Sequence, residues 1–195
     1  MVVSVSFLKI KGDVSVKMEG SVIRNIFLKV SEIEPSELRK YIISEIGEKS
    51  KDKLYNYLKD LSGSYPQFEE WFYNVVIPEV EKKNGEREII AVLSEIEGNP
   101  QAVLSGIAIL KKTKYEKKIC TFRVHEDFRN KGIGTELFER CFEYLGTKRP
   151  VISISEDRIE MFKYHIKKYE FEKTQELCGI YKPNSIEYVF NGYLN

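Results

Sequence analysis

The loop Arg129–Gly134, which reads Arg-Asn-Lys-Gly-Ile-Gly, carries the residue types best suited to binding an anion. It follows an apolar, strand-like segment over 118–125 and precedes a helical pattern. The first backbone N–H groups of a helix have no partner inside the helix, and they lie at the positive end of its dipole. Gly132 and Gly134 let the backbone approach a phosphate closely, and the arginine and lysine add charged donors. The spacing therefore predicts a pyrophosphate site.

Two other phosphate-binding loops do not fit this sequence. The dinucleotide fingerprint needs a third glycine, and Leu137 occupies that place. The P-loop needs Gly-Lys followed by Ser or Thr after a longer gap, whereas here Lys131 precedes Gly132. The remaining alternative is an ordinary strand-to-helix turn, and the flanking strand and helix favour the anion site over it.

The elements around the loop alternate between strand and helix periods. Apolar residues of the helix after the loop fall on one face, and Gly146 ends that helix ahead of Pro150. In chain order, the patterns predict strands over 88–96, 102–110 and 118–125, a helix over 133–145, a strand over 151–155, a helix that begins after Ser155, and strands over 171–177 and 186–190. This order indicates a mixed α/β domain with one core.

The first half of the chain is predicted to form short strands and helices. Residues 1–30 alternate apolar and polar side chains, which is typical of strands or hairpins. Helices are predicted over 35–46 and 50–61, and Ser64 can cap a third helix that carries aromatic residues. Pro78 should kink or end that third helix, because proline lacks an N–H group.

The length and the charge balance restrict the classes of function. The chain has 195 residues, of which 42% are hydrophobic, and it is long enough for a substantial core. We expect residues 64–195 to form the main domain, with 1–63 as an N-terminal extension packed on it. Lys and Arg number 31 and Asp and Glu number 30, so the net charge of +1 gives no overall attraction to nucleic acid or to an anionic membrane.

The cysteines and the apolar runs indicate the cellular compartment of the protein. Cys120, Cys141 and Cys178 are odd in number and form no CxxC pair, so we expect neither a disulfide framework nor a metal site. No apolar run approaches the ~18 residues that a membrane span needs, and the N-terminus lacks the pattern of a secretory signal. These features predict a reducing, cytoplasmic location.

The strand before the loop, the pattern Arg129-x-x-Gly132-x-Gly134 and the helix after it together resemble the signature of the GNAT N-acetyltransferase superfamily. The order of elements from Glu88 to Phe171 agrees with this resemblance. It implies an α/β (α+β) GNAT fold, with a central mixed sheet of about six to seven strands and helices on both faces. It also implies transfer of an acetyl group from acetyl-CoA to a primary amine, without a metal. A non-catalytic acyl-CoA-binding sensor or interaction module is the alternative that stays open.

The resemblance implies which residues bind acetyl-CoA. Backbone groups of the loop 129–135 would hold the pyrophosphate, and the strand 122–124 would pair with the pantetheine arm through its main chain. That strand and the one at 151–155 would splay apart, with the thioester in the gap between them. The residues assigned to cofactor binding are Phe122, Arg123, Val124, Arg129, Asn130, Lys131, Gly132, Ile133, Gly134 and Thr135.

The resemblance leaves the general acid open. Many members carry Tyr-x-x-x-Gly-Phe at the end of the helix after the second splayed strand, and that tyrosine protonates the departing thiolate. Here Ile166 takes the place of the tyrosine and Glu170 takes that of the glycine. Tyr164, Tyr169 and Tyr181 are the substitutes, and Tyr164 is the one included in the predicted catalytic set. Helical geometry turns the first two away from the direction of Ile166.

A carboxylate is the predicted general base, because the attacking amine must be neutral. Glu126 and Glu156 lie at the ends of the two splayed strands and complete the catalytic set, and Glu116 is a nearby alternative. The predicted acceptor is a small-molecule or peptide amine. The lysines between 111 and 118 leave a nucleic-acid-linked acceptor as a further hypothesis, which the neutral net charge disfavours. A homodimer is also left open.

Overall fold

Eight β-strands form one mixed sheet within the part of the chain that the structure describes. The computed structural model describes residues 14–18, 21–33, 50–63, 65–97 and 102–194. The strands are β1 Val14–Met18, β2 Ser21–Lys29, β3 Arg87–Ile96, β4 Val103–Lys112, β5 Lys117–Val124, β6 Val151–Ser155, β7 Lys173–Cys178 and β8 Ile186–Phe190. Their order is β1-β2-β3-β4-β5-β6-β8-β7; β5 and β6 pair in parallel, and the other neighbours are antiparallel.

Short helices precede β3, and two longer helices flank β6. They are α1 Ser50–Leu58, α2 Phe68–Trp71, α3 Ile77–Glu81, α4 Ile133–Leu145 and α5 Ile159–Lys168. Three 3₁₀ turns are described, Val30–Glu32, Lys59–Gly63 and Glu126–Phe128. A π-helical turn, Phe72–Val76, connects α2 with α3 ahead of Pro78. The helix interruption that the sequence predicts at Pro78 is therefore a π-helical turn just before the proline. A wider turn suits a residue that has no N–H group.

Helices cover both faces of the sheet, and each face has its own hydrophobic core. Side chains alternate along a strand, so neighbours on β3 serve different cores. Ile90 and Val92 pack with apolar residues of α4 and α5, whereas Ile89 and Ala91 pack with those of α1, α2 and α3. The predicted mixed α/β sheet with helices on both faces is confirmed. The described sheet has eight strands rather than six to seven, because the β1–β2 hairpin adds an edge strand.

The sheet opens between β5 and β6. Pairing between these parallel strands is confined to Lys118 with Val151 and Ile119 with Ile152. Beyond those pairs, β5 continues to its end beside β4, and β6 continues to its end beside β8. The two strands therefore diverge toward their carboxyl ends and leave a gap in the sheet.

A β-bulge in β5 marks the point where the gap begins. In the β4–β5 ladder, Ile109 is opposite Thr121 and Leu110 is opposite Ile119, so Cys120 is an extra residue on β5. A bulge bends its strand and increases the local twist. The bend lies directly after the last residue of β5 that pairs with β6. It therefore provides a local cause for the divergence of the two strands.

Several sequence predictions for the first half of the chain lie outside the described residues. These are the helix over 35–46, the strands predicted before residue 14 and the capping role of Ser64. The β1–β2 hairpin agrees with the hairpins predicted within residues 1–30. Because β2 pairs with β3, a strand of the predicted N-terminal extension belongs to the same sheet as the main domain. The division between Gly63 and Ser64 stays a prediction.

Candidate functional site

The start of α4 presents backbone N–H groups at the loop that the sequence singled out. Gly132 is the N-cap residue, with a φ of 84°, and Asn130 also has a left-handed φ, of 61°. The N–H group of Glu136 donates to the carbonyl oxygen of Gly132 at 3.1 Å. The N–H groups of 133–135 precede that bond, in the turn where a helix leaves its donors without an internal partner. The loop therefore has the geometry of an anion site.

Glycine suits position 132 for two reasons. A left-handed backbone costs a residue with a Cβ roughly 1–2 kcal/mol, and glycine avoids that cost. A Cβ added to Gly132 would meet no other heavy atom within 4 Å. This side of the loop is therefore open, as the approach of a phosphate requires.

The two cationic side chains of the loop fold back along it. Arg129 is exposed, and its Nε donates to the carbonyl oxygen of Val124 at 3.3 Å. Lys131 donates through Nζ to the carbonyl oxygen of Asp127, and its ammonium lies 5.6 Å from the centre of the Phe128 ring. Both positive charges therefore belong to the segment that leads into α4, and cationic side chains there favour an anion.

His165 of α5 supports the first turn of α4. Its Nε2 lies 3.2 Å from Oγ1 of Thr135, and its ring centroid lies 4.8 Å from that of Phe138. A Cβ added to Gly134 would lie 3.5 Å from Cε1 of His165, which is ordinary van der Waals contact. Burial, followed by the charge of Lys168, lowers the pKa of His165. A neutral imidazole therefore braces the loop at neutral pH without adding a charge beside it.

The edge of β5 beside the gap is formed by Phe122, Arg123 and Val124. Their main chain pairs with β4 on one side, and no described strand pairs with the other side of β5 beyond Ile119. Phe122 stacks on Phe138 with ring centroids 4.1 Å apart, which fixes this part of the strand against α4. The edge can therefore offer backbone N–H and C=O groups to an extended ligand.

The Arg123 side chain points away from the predicted cofactor site, toward the end of α1. Its Nη2 donates to Oδ2 of Asp60 at 3.1 Å, and its guanidinium lies 5.3 Å from the centre of the Tyr57 ring. Since the side chain is engaged there, a contribution of Arg123 to cofactor binding would come from its main chain.

The structure does not bring the three predicted catalytic residues together in the gap. Glu126 is exposed in the 3₁₀ turn after β5. Glu156 is exposed, and its Oε1 accepts a hydrogen bond from the N–H group of Ile186 at 3.1 Å, which fixes the start of β8. Tyr164 is 63% exposed on α5. None of the three lines the cleft described next, and their catalytic roles stay predictions.

A cleft of about 1340 Å³ adjoins the gap. Thr121 of β5 and Ser153 of β6 line it where the two strands diverge, and Arg158 lines it after β6. Tyr65, which precedes α2, and Tyr181, in the β7–β8 connection, line the opposite part. Their rings meet edge to face with centroids 5.0 Å apart. The cleft is therefore bounded by hydroxyl groups on the strand side and by aromatic rings on the loop side.

Glu187 of β8 is a functional candidate that the sequence analysis missed. It is 4% exposed and is paired with Ser155 across β6. Its Oε2 is buried and has no hydrogen-bond partner in the described residues. Burial raises the pKa of Glu187 to about 7. The available signal was a carboxylate in the otherwise apolar and aromatic strand Ile186–Phe190.

Comparisons with known proteins identify the family. Residues 52–163 match the model of the Acetyltransferase (GNAT) family. The structure of Arabidopsis thaliana NAA60 in complex with acetyl-CoA is similar to this one with a TM-score of 0.57; it is 17% identical, and the match covers 85% of this chain and 96% of that one. An aminoglycoside 6'-N-acetyltransferase complexed with coenzyme A matches with a TM-score of 0.50 and 14% identity, over 85% of this chain and 94% of that one. A search of curated proteins finds no significant match.

The fold and the site thus define an acetyltransferase-type α/β protein, and the chain belongs to the acetyltransferase (GNAT) family. The resemblance inferred from the loop Arg129–Gly134 is confirmed at the level of family and fold. Of the helices described, none is long and apolar enough to cross a membrane. The same residues contain no group of three or more His, Cys, Asp or Glu side chains that could hold a metal ion.

Proposed function

We propose that the chain is an acetyl-CoA-dependent N-acetyltransferase that moves an acetyl group to a primary amine. The observation that carries this proposal is the gap between β5 and β6, which adjoins both the loop at the start of α4 and the cleft. Membership of the GNAT family supports acetyl transfer as the class of reaction. The two structures of similar fold come from complexes with acetyl-CoA and coenzyme A, which also supports this cofactor.

The loop and the strand edge fit acetyl-CoA. The backbone over 129–135 would hold the pyrophosphate, since N–H groups of the first turn of α4 lie within it and the same loop carries Arg129 and Lys131. The edge of β5 over 122–124 would pair with the amides of the pantetheine arm. When bound, acetyl-CoA supplies the activated acetyl thioester.

The protein would contribute mainly by orienting the amine and the thioester and by polarising the thioester carbonyl with backbone N–H groups of β5. Ile166 packs against the core at the position where many members carry a tyrosine. A thiolate is a tolerable leaving group near neutral pH, so a dedicated acid is not required. Proton transfer by Glu126, Glu156 or Tyr164 stays a prediction.

A non-catalytic acyl-CoA sensor is the second candidate, and the packing of Ile166 is the observation that favours it. It predicts binding of acetyl-CoA without release of free thiol over a broad panel of amines. Steady release of thiol with any amine would exclude it.

Four further properties stay predictions: a small-molecule or peptide acceptor, a cytoplasmic location, a homodimer, and the division into 1–63 and 64–195.

Acetyl-CoA is expected to raise the melting temperature of the protein. A ligand at 100 times its Kd stabilises the folded state by about 2.7 kcal/mol. For a chain of this size, that corresponds to an increase of about 5–10 °C, measured by differential scanning fluorimetry. Acetyl-pantetheine, which lacks the pyrophosphate, is the matched control ligand and should give a much smaller shift. If millimolar acetyl-CoA gives no shift, the proposed function is wrong.

A further inference from the structure

We propose that the acceptor amine also carries a carboxylate, and that the ammonium group of Lys118 binds this carboxylate at the end of the cleft where β5 and β6 are still paired. This inference rests on the proposed function, and it adds the chemical class of the acceptor to it. Lys118 lies directly before Ile119, the last residue of β5 that pairs with β6. Its side chain is partly buried and lines the cleft.

Cationic side chains occupy one row across β3, β4 and β5, on the face of the sheet that borders the cleft. Arg87 of β3 is opposite Lys111 of β4, and Lys111 is opposite Lys118 of β5. Residues that are opposite one another on neighbouring strands share a face of the sheet, and all three of these line the cleft. Like charges in such positions destabilise a sheet, so the row calls for negative partners.

The protein supplies a carboxylate to two members of the row but not to Lys118. Nε of Arg87 donates to Oε2 of Glu79 at 2.7 Å. Nζ of Lys111 lies 2.7 Å from Oε2 of Glu116. No carboxylate of the described residues forms an ion pair with Lys118. The row therefore keeps one positive charge, which a single carboxylate of a ligand would neutralise.

Lys112 and Lys117, which are opposite one another on the other face of β4 and β5, are accounted for by the fold. Nζ of Lys112 donates to the carbonyl oxygen of Tyr144 at 2.7 Å. Nζ of Lys117 donates to the carbonyl oxygen of Gly146 at 3.4 Å. Both oxygens lie at the end of α4, where a helix attracts cations. Lys118 makes no comparable hydrogen bond within the described part of the chain, so its charge is left for a ligand.

The proposed pyrophosphate site does not account for Lys118 either. The loop Arg129–Gly134 follows the carboxyl end of β5, whereas Lys118 is near the amino end of that strand. At roughly 3.3 Å per residue, Lys118 and Val124 are about 20 Å apart along β5. The acceptor is the other ligand that the proposed reaction needs, and the positive charge of Lys118 therefore falls to it.

The remaining charges around the cleft also favour an acidic acceptor over a polyamine. Lys114 and Arg158 line the cleft, and neither forms an ion pair with a described carboxylate. Glu86 and Glu116 are the carboxylates among the described lining residues, and Glu116 is already paired with Lys111. Cations therefore outnumber carboxylates around the cleft. Like charges oppose binding, so a polycationic amine is disfavoured.

The position of Lys118 sets the spacing between the acid group and the reacting amine of the acceptor. Thr121 lines the cleft where β5 has left β6, and it is about 10 Å from Lys118 along the strand. Under the proposed function, the thioester lies in the gap beside this part of β5. The acceptor must therefore separate its amine from its carboxylate by several bonds, unlike the α-amine of a free amino acid.

Amines of equal length and different charge test the acid-binding site. 6-Aminohexanoate, 6-aminohexanamide and 1,6-diaminohexane carry an anion, a neutral amide and a cation at the end away from the reacting amine. Their Kd values are measured by calorimetry near neutral pH, on protein saturated with coenzyme A. We expect the wild type to bind 6-aminohexanoate about tenfold more tightly than the amide, and the diamine most weakly. Lys118→Gln should lose this preference.

Lys117→Gln is the matched control, because it removes the same charge from the adjacent residue on the α4 face. It should keep the preference for 6-aminohexanoate. Lys118→Glu should reverse the preference in favour of 1,6-diaminohexane, which a merely misfolded variant would not do. Lys118→Gln should melt no lower than the wild type, since it removes a cation that is opposite Lys111.

Acetyl transfer to the same amines gives a second measurement. In Lys118→Gln, KM for 6-aminohexanoate should rise about tenfold with little change in kcat, because the carboxylate is bound away from the reacting atoms. Glycine, whose carboxylate is next to its amine, should be a poor acceptor. Equal Kd values for the three amines, or a preference that Lys118→Gln retains, would overturn the acid-binding site while acetyl-CoA binding upholds the proposed function. Absence of acetyl-CoA binding would instead overturn the proposed function itself.

Discussion

The Gly132→Asp variant is expected to lose acetyl-CoA binding while keeping its fold. The new carboxylate would stand in the loop at the start of α4, where the N–H groups of the first turn are open to an anion. It would compete for those donors and repel the pyrophosphate, since like charges at close range oppose binding. We expect the Kd for acetyl-CoA, measured by calorimetry, to rise at least about 100-fold, which corresponds to about 2.7 kcal/mol.

The fold should survive this substitution, because a Cβ at Gly132 meets no atom within 4 Å. The left-handed φ of 84° costs roughly 1–2 kcal/mol for a residue other than glycine, and aspartate tolerates it better than most. Gly85→Asp is the matched control, since Gly85 has a φ of 78° and equally open surroundings but lies in the turn before β3. Both variants should lose similar stability, and Gly85→Asp should bind acetyl-CoA normally. Equal affinity of the two variants would mean that the pyrophosphate lies elsewhere.

The conformation of the loop Arg129–Gly134 was predictable because its signal is local in the sequence. Gly132 and Gly134 are close to the start of a helix whose apolar face is evident from the sequence, and their backbone geometry depends on nearest neighbours alone. The predicted strands over 88–96, 118–125 and 151–155 agree closely with β3, β5 and β6 for the same reason. Periodicity within one segment decides each of these elements.

The surroundings of Glu187 were not predictable in the same way. The burial of Glu187 becomes evident only after β8 pairs with β6 and places it opposite Ser155, which is distant in the sequence. Glu126 and Glu156 were predicted because they follow the splayed strands, and no sequence pattern shows that both face solvent.

The bulge at Cys120 is a second feature that the sequence did not reveal. The alternation of apolar and polar residues in β5 is compatible with a regular strand, and the extra residue appears only in the register with β4. That register decides where β5 leaves β6, and thus where the gap lies. Sequence patterns give the existence and type of an element more reliably than the pairing between elements.

The Phe138→Ala variant is expected to destabilise the fold strongly. Phe138 is fully buried on α4, where it stacks on Phe122 of β5 at 4.1 Å and packs against Phe162 and His165 of α5 at 6.3 and 4.8 Å. Removing a buried phenyl ring costs about 3–5 kcal/mol, because it loses apolar burial and leaves a cavity. For a chain of this length, the melting temperature should fall by about 6–20 °C in differential scanning calorimetry.

The same ring connects stability with the proposed cofactor site. Phe138 holds together the strand edge at Phe122, the start of α4 and the histidine that braces Thr135. Its loss should therefore weaken acetyl-CoA binding even at temperatures where the variant stays folded. Tyr115→Ala is the control, since Tyr115 is 90% exposed and its loss should change stability by less than about 0.5 kcal/mol. A similar melting temperature for the two variants would contradict the packing around Phe138. Unchanged affinity of the folded Phe138→Ala variant for acetyl-CoA would show that other contacts hold the strand edge.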